Sequence, residues 1–242
     1  MNIFITGTDT DIGKTMVTAG IAAVMQGLGY STSVYKPVQS GCRDEEGVLI
    51  PPDLEFVEFI DSNITVKSTY NLLHPVAPSL AAMLEDIVIN RNDILRDYRD
   101  LCNKSDFVLV EGAGGLMVPV YQTFLIRDLV KLMDLPLLIV ARPDLGTVNH
   151  TLLTIEAAKR HGINVLGVVI SNFPKNTDDI SIKSTPAMIS ELSGVKILGI
   201  LPHIDCKITD NGFPDHLIDE VINNINIQGI FNLSIPKLSY DI

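Results

Sequence analysis

The stretch that decides the fold is Ile3-Phe4-Ile5-Thr6-Gly7-Thr8-Asp9-Thr10-Asp11-Ile12-Gly13-Lys14-Thr15, residues 3–15. Its apolar start is typical of a buried strand, its middle of a glycine-containing loop, and Gly-Lys-Thr of a helix start. In such a segment backbone N–H groups converge on a phosphate, Lys14 adds a positive charge, and the Thr15 hydroxyl can ligate Mg²⁺. The segment predicts a nucleoside triphosphate site; the alternative is a tight strand-to-helix turn with a surface lysine.

The loop departs from the usual spacing of a phosphate-binding loop. Four residues usually separate the first glycine from Gly-Lys-Thr, whereas five separate Gly7 from Gly13, and Thr8 takes the usual glycine position. Two acids, Asp9 and Asp11, also lie in a loop that is expected to bind an anion. We therefore expect a group other than phosphate to contact this loop as well.

Composition restricts the class of protein. The 242 residues are 46% hydrophobic, which predicts one domain over residues 1–242, with a terminal strand or tail from about residue 223, where periodicity is lost. A net charge of -11 argues against nucleic acid or an anionic membrane as a partner. The cysteines are far apart and odd in number, and we find no leader and no apolar run of ~18–20 residues, so we expect free thiols and a cytoplasmic protein.

Strand and helix patterns alternate along the chain. Five or six apolar runs predict an α/β fold, a P-loop NTPase-like doubly wound, mostly parallel sheet with helices on both faces. The predicted strands are the run that begins at Ile3 and residues 32–35, 106–110, 135–140, 165–170 and 196–201. The predicted helices span residues 15–27, 54–60, a run from 75 to 82, 90 or 92 to 102, and a run ending at 161, while residues 42–52 are predicted to form a loop.

Charged residues follow two of these strands, where ligands bind in open α/β sheets. Lys36 follows the strand at 32–35 and is expected to face the same crevice as Lys14. Glu111 ends the strand at 106–110 ahead of a glycine-rich turn, which predicts a ligand of Mg²⁺ or of its water shell; the alternative is an acid that merely ends a strand. Asp53 is either a metal ligand or the N-cap of the helix that follows it.

Four segments in order, residues 7–15, 35–41, 110–115 and 145–150, resemble the dethiobiotin synthetase family, and the resemblance extends to about residue 205. The five-residue spacing in the loop is that family's own version of the phosphate cradle. The resemblance implies a homodimeric, ATP- and Mg²⁺-dependent ligase of biotin biosynthesis. Such an enzyme joins CO₂ to diaminopelargonic acid through a carbamate and a carbamic-phosphoric mixed anhydride, closes a cyclic urea, and releases ADP and phosphate.

The resemblance also implies a role for each matching residue. Lys36 and Lys14 would be catalytic, and Thr15, Asp53 and Glu111 would hold Mg²⁺. The nucleotide would contact Asp11, Ile12, Gly13, Lys14, Thr15, Met16, Asp53, Glu111, Gly112, Ala113, Gly114, Asn172, Phe173, Pro202, His203 and Ile204. The diamine would contact Thr10, Lys36, Ser40, Leu145, Gly146 and Asn149, the last across the dimer interface.

Two other functions share the predicted sheet. A partition or positioning switch would use ATP to dimerise on DNA or a membrane, but such proteins resemble one another in an extra lysine early in the loop, where this chain has Thr8-Asp9. An amide-forming ligase on a tetrapyrrole precursor would need a glutaminase half, for which 242 residues leave no room.

Overall fold

The computed structural model describes residues 1–204 and 216–233. Within them, seven parallel strands form a central sheet in the order β11-β10-β9-β1-β6-β2-β5, and two short hairpins, β3-β4 and β7-β8, lie beside it. The strands are β1 Ile3–Gly7, β2 Thr32–Gln39, β3 Arg43–Glu45, β4 Val48–Ile50, β5 Thr65–Asn71, β6 Phe107–Gly115, β7 Pro119–Tyr121, β8 Phe124–Leu125, β9 Leu137–Ala141, β10 Val165–Phe173 and β11 Ile197–Pro202.

Helices cover both faces of the sheet. They are α1 Lys14–Gly27, α2 Pro52–Ile60, α3 Pro78–Leu84, α4 Arg91–Cys102, α5 Ile126–Met133, α6 Thr147–Arg160, α7 Ile180–Ser193, α8 Leu217–Asn224 and α9 Ile227–Phe231. Along β1 the side chains alternate between two cores, because Ile3 and Ile5 pack with α1, α2, α8 and α9 while Phe4 packs with the helices α3 to α7. The predicted doubly wound parallel sheet is confirmed. In the described part of the chain no helix is long and apolar enough to cross a membrane.

The order of the strands in the sheet determines where a ligand-binding crevice can form. β1 pairs with β6 on one side and with β9 on the other. The chain builds β2, β5 and β6 on one side of β1 and then crosses to β9, β10 and β11 on the other. In open α/β sheets a crevice forms beyond the carboxyl ends of the strands at such a point. The loop after β1 and the ends of β2 and β6 therefore meet at one edge of the sheet.

The edge of the sheet differs from the prediction. Residues 65–71 form β5, paired with β2, although no strand is predicted there. The sequence Thr-Val-Lys-Ser-Thr-Tyr-Asn contains no apolar run, so its pattern does not predict a strand. Besides pairing with β2, this edge strand is hydrogen-bonded to α4, from Thr69 to Asp97 and from Tyr70 to Asp93. The predicted loop at 42–52 contains the hairpin β3-β4.

Two strands are longer than predicted. β6 continues through the expected glycine-rich turn, so that Gly115 pairs with Gly7, and β10 continues to Phe173. The predicted helix at 75 begins only at Pro78.

The prediction of a terminal strand or tail from residue 223 is wrong for residues 223–233. Asn223 and Asn224 end α8, and α9 follows at Ile227–Phe231. Phe231 is buried with its ring 5.1 Å from that of Phe107, so this segment completes the core on the α1 side. The short helices escaped prediction because each offers too few turns for a helical period. Residues 234–242 of the predicted tail lie outside the described residues.

This packing predicts a cost for truncating Phe231. Phe231→Ala should lower the free energy of unfolding by about 3–5 kcal/mol, the usual loss for a buried phenylalanine. Urea unfolding followed by circular dichroism measures it. Leu192→Ala on α7, where the side chain is exposed, serves as the control and should change stability by less than ~0.5 kcal/mol. Equal, small effects of both substitutions would show that α9 does not belong to the folding unit.

Candidate active site

The loop between β1 and α1 is held tightly against its neighbours. Gly13 has φ 90° and a Cβ there would lie 2.3 Å from Ser171 Oγ at the end of β10, so only glycine fits. Lys14 folds back over the loop, and its Nζ donates a hydrogen bond to the Asp9 carbonyl oxygen at 2.8 Å. The backbone after β1 thus turns around the Lys14 ammonium group, as expected of a phosphate cradle.

A buried ion cluster lies beside this loop. Lys36 in β2 is 3% exposed, and its Nζ donates to Glu111 Oε1 at 2.7 Å and to Asp53 Oδ2 at 2.5 Å. Glu111, 1% exposed, also accepts a hydrogen bond from the Thr15 hydroxyl at 3.1 Å. Parallel β2 and β6 bring Lys36 and Glu111 together, α2 supplies Asp53 and α1 supplies Thr15. The alternative of Asp53 as an N-cap is wrong, since Pro51 is the cap residue.

The charges in the cluster support one another. Burial alone would lower the pKa of Lys36, but Glu111 and Asp53 outweigh it and raise that pKa above its ordinary value. Burial would likewise raise the pKa of Asp53, and the Lys36 ammonium lowers it instead. Lys14 differs, because burial, reinforced by the Lys36 charge, lowers its pKa despite Glu111. The charge of Lys36 is thus neutralised by two carboxylates in direct contact, whereas Lys14 is hydrogen-bonded to a neutral carbonyl oxygen.

One pocket of about 590 Å³ contains both lysines. Most of the predicted nucleotide, metal and diamine residues in the first half of the chain line it: Thr10, Asp11, Ile12, Gly13, Lys14, Thr15, Met16, Lys36, Ser40, Asp53, Glu111, Ala113 and Gly114. Sequence reasoning missed Gln39, Gly41, Pro52, Pro75, Val76, Ala77, Pro78 and Val118, which also line it. Several of these are chain neighbours of predicted residues, so proximity to the motifs was the available signal.

The predicted base-binding residues form a second group next to the loop. Phe173 pairs with Pro202 across β10 and β11, and its carbonyl oxygen accepts a hydrogen bond from the His203 N–H at 2.8 Å. Asn172 has φ 58°, and its Oδ1 lies 3.4 Å from His203 Nδ1. A Cβ on Gly13 would lie 3.7 Å from Asn172 Nδ2, so this group adjoins the phosphate loop. Ile204 follows and packs against the α1-side core.

The remaining predicted residues lie outside the pocket. Gly112 packs against Phe4, and only its carbonyl oxygen reaches the cluster, 3.4 Å from Lys36 Nζ. Leu145, Gly146 and Asn149 lie at the start of α6 and are exposed, with Leu145 at 85%. Within this chain these three residues do not meet Lys36.

The donor set fits a hard divalent cation that also binds phosphate oxygens. Two carboxylates and a hydroxyl converge around the Lys36 ammonium group, and Mg²⁺ prefers a few such oxygens together with waters and phosphates. No cluster of three or more His, Cys, Asp or Glu side chains that could hold a metal occurs in residues 1–204 and 216–233. Any Mg²⁺ at this site would therefore depend on the nucleotide for part of its coordination.

Known proteins with this fold were compared by structure. The MinC:MinD cell division protein complex of Aquifex aeolicus is similar with a TM-score of 0.59 and 16% identity over 97% of each chain. McdA of Cyanthece is similar with a TM-score of 0.62 and 14% identity, covering 96% of this chain and 98% of that one. At such identities the likeness establishes the fold alone.

Several proteins are similar to this chain in sequence along most of its length. A family model described as an AAA domain matches residues 1–207. An ATP-dependent dethiobiotin synthetase of Thermodesulfovibrio yellowstonii is 36% identical over 240 residues, 95% of this chain and 98% of that protein. One from Bacillus velezensis is 37% identical over 236 residues, 96% and 97%, and one from Bacillus cereus strain B4264 is 43% identical over 208 residues, 85% of each. With identity at this level along nearly the whole chain, this protein belongs to the dethiobiotin synthetase family.

Proposed function

We propose that this chain makes dethiobiotin by joining CO₂ to the vicinal amines of diaminopelargonic acid at the expense of ATP. The observation that carries the proposal is the single pocket that contains Lys14, Lys36 and two carboxylates next to a phosphate loop. The family supplies the identity of the substrates, and the pocket supplies charges suited to their chemistry.

The reaction has three steps. One amine adds to CO₂ and forms a carbamate, with loss of a proton. A carbamate oxygen then attacks the γ-phosphorus of ATP, ADP leaves, and a carbamic-phosphoric mixed anhydride forms. The second amine attacks the activated carbonyl carbon and loses a proton, the bond from that carbon to the phosphate oxygen breaks, and the cyclic urea closes as phosphate departs.

The main barrier of the reaction is the electrostatic repulsion between an anionic carbamate and a triphosphate. The positive charges of the two lysines would reduce this repulsion. Such a step depends on fixed positive charge more than on a protein nucleophile. Lys36 keeps its proton at neutral pH because Glu111 and Asp53 raise its pKa above the ordinary value. We assign Lys36 to the carbamate and the transferring phosphoryl group, and Lys14 to the phosphates at the loop.

Other residues would bind the adenine ring of ATP and the rest of the diamine. Asn172 with Phe173 and the turn Pro202–Ile204 would hold the adenine ring, because they adjoin Gly13 of the loop. Thr10 and Ser40 would contact the diamine inside the pocket. Leu145, Gly146 and Asn149 would contact the substrate of the partner in a homodimer, which agrees with their exposure in one chain. We also propose one ligase domain and a cytoplasmic location.

We further propose that Mg²⁺ binds Thr15, Asp53 and Glu111 together with the nucleotide phosphates. The ion would neutralise phosphate charge as the phosphoryl group moves. Lys36 now neutralises both carboxylates, so the lysine and the ion compete for the same oxygens. This competition makes the site testable without measuring catalysis.

The test of the overall function is a product assay. Protein, Mg-ATP, bicarbonate and diaminopelargonic acid should yield a product heavier than the diamine by CO₂ less water. A positioning switch is the other function that this fold suggests, but Thr8 stands where such proteins carry a lysine. ATP cleavage that ignores the diamine would favour the switch and contradict the ligase.

Substitution of either lysine should impair turnover. Lys36→Ala and Lys14→Ala should each lower kcat by about 10²–10³-fold, the effect of removing one preorganised charge-stabilising group. Steady-state dethiobiotin formation measures it. Lys104 is exposed between α4 and the amino end of β6, away from the carboxyl ends of the strands. Lys104→Ala should therefore leave kcat unchanged. Turnover like that of the wild type in either pocket variant would refute its assigned role.

Competition for the carboxylates predicts a metal-dependent stability. Lys36→Met should destabilise the free protein by about 3–5 kcal/mol, because a buried charge loses its partner. Mg²⁺ alone should then raise the Tm of this variant by more than that of the wild type, since binding stabilises the folded state. Adding Glu111→Gln should remove the extra response. Equal Mg²⁺ responses in wild type and Lys36→Met would contradict the proposed metal site.

A further inference from the structure

Asp9 is an acid in the phosphate loop to which the proposed reaction gives no role. Its neighbours Thr10 and Asp11 line the pocket, whereas Asp9 lies outside it. The backbone carbonyl oxygen of Asp9 nevertheless accepts the hydrogen bond from Lys14 Nζ at 2.8 Å. A carboxylate on the residue that contacts Lys14 can compete with phosphate for the ammonium group, because both are anionic oxygen acceptors. The loop therefore needs a means of keeping this carboxylate away from Lys14.

The carboxylate of Asp9 faces two groups other than Lys14. Its Oδ1 accepts a hydrogen bond from the Thr10 backbone N–H at 2.8 Å, and its Oδ2 lies 3.8 Å from Arg142 Nη1. Both side chains of this ion pair are partly exposed, so solvent screens the pair and its contribution to stability is modest. The pair still gives the Asp9 carboxylate a counter-charge on the β9 side of the loop.

The pairing of strands brings Arg142 to the loop. Arg142 directly follows β9, and β9 is a parallel neighbour of β1, with Val140 opposite Gly7. The Thr8 N–H donates a hydrogen bond to the Val140 carbonyl oxygen at 3.0 Å, which holds the start of the loop against the end of β9. The residues on both sides of Arg142 are buried, so its backbone is held in place. The contact with Asp9 thus follows from the sheet, although the two residues are far apart in the sequence.

Lys14 is a ready partner for an Asp9 carboxylate that has lost Arg142. Among the described residues Lys14 has no carboxylate in direct contact, and burial lowers its pKa below the ordinary value. A nearby anion favours the charged form of such a lysine. A change of rotamer at Asp9 can turn its carboxylate toward the ammonium group that its own carbonyl oxygen already contacts. The resulting internal ion pair would occupy Lys14 in place of a phosphate.

We propose that Arg142 is a positioning residue of the phosphate loop, which binds the Asp9 carboxylate and so leaves the Lys14 ammonium group available to the phosphates of ATP. Arg142 lies outside the four segments that carry the family resemblance. The proposal rests on the proposed function for the identity of the nucleotide, and it adds a residue that acts through Asp9. It also explains how an acid is tolerated in a loop that binds an anion.

Removal of the Arg142 charge should weaken nucleotide binding. Arg142→Gln should raise the Kd for a non-hydrolysable ATP analogue with Mg²⁺ about fivefold, the upper range for one partly exposed ion pair. Isothermal titration calorimetry at low ionic strength measures this Kd, since salt screens such pairs. Arg142→Lys keeps the positive charge and should stay within about twofold of the wild type.

Asp9→Asn separates this role from a merely structural one. The asparagine side-chain oxygen still accepts from the Thr10 N–H, but the negative charge is gone, so the Kd should stay within about twofold of the wild type. The double variant Asp9→Asn/Arg142→Gln should regain the affinity of the wild type, because no Asp9 carboxylate remains to occupy Lys14. A loss of packing at Arg142 would not be repaired by removal of its partner's charge.

Arg160→Gln is the matched control. Arg160 lies in the last turn of α6, far from the loop, and pairs with Glu156 at 3.4 Å through exposed side chains. Loss of this ion pair should leave the Kd for the ATP analogue unchanged.

The possible results distinguish this proposal from the function itself. A Kd in Arg142→Gln equal to that of the wild type would overturn the role of Arg142. A loss of affinity that persists in the double variant, or a fivefold loss in Arg142→Lys, would overturn it as well. The expected set of affinities in a protein that forms no dethiobiotin would contradict the proposed function and leave the role of Arg142 standing.

Discussion

The buried contact of Lys36 with Glu111 and Asp53 is the interaction on which the site depends. Three charges in an interior of low dielectric are tolerable only because each has its partner within hydrogen-bond distance. Their positions follow from backbone structure, since β2 and β6 are parallel neighbours and α2 begins just beyond the hairpin. The sheet therefore holds a protonated lysine ready at the edge where a triphosphate would arrive.

The second lysine has a different environment and a different use. Lys14 is bonded to a neutral carbonyl oxygen, and burial lowers its pKa, so its charge is poorly compensated in the free protein. An incoming phosphate would supply the missing anion. The site thus combines Lys36, whose charge is paired with carboxylates, and Lys14, which has no carboxylate in direct contact among the described residues. This combination suits a reaction in which two anions must meet.

Much of this was predictable from sequence, because glycines and charged residues at strand ends carry strong local signals. Lys14 of the loop, Lys36 and Glu111 were predicted in one crevice, and they share one pocket. The strand β5 was missed because it lacks an apolar run: backbone pairing with β2 and hydrogen bonds to α4 hold it in the sheet. Gln39 was missed because its place in the pocket follows from three-dimensional packing. Asn149 was assigned to the site from the family resemblance, and it lies outside the pocket of this chain.

The central claim is that a carbamate accepts the phosphoryl group beside these lysines. The most direct measurement supplies ¹⁸O-labelled CO₂ with the diamine and Mg-ATP, and follows the label in the phosphate released during a single turnover. Each phosphate should carry one labelled oxygen, because the carbamate oxygen that attacks phosphorus leaves with it. Phosphate that carries only oxygen from ATP and from solvent water would contradict the account.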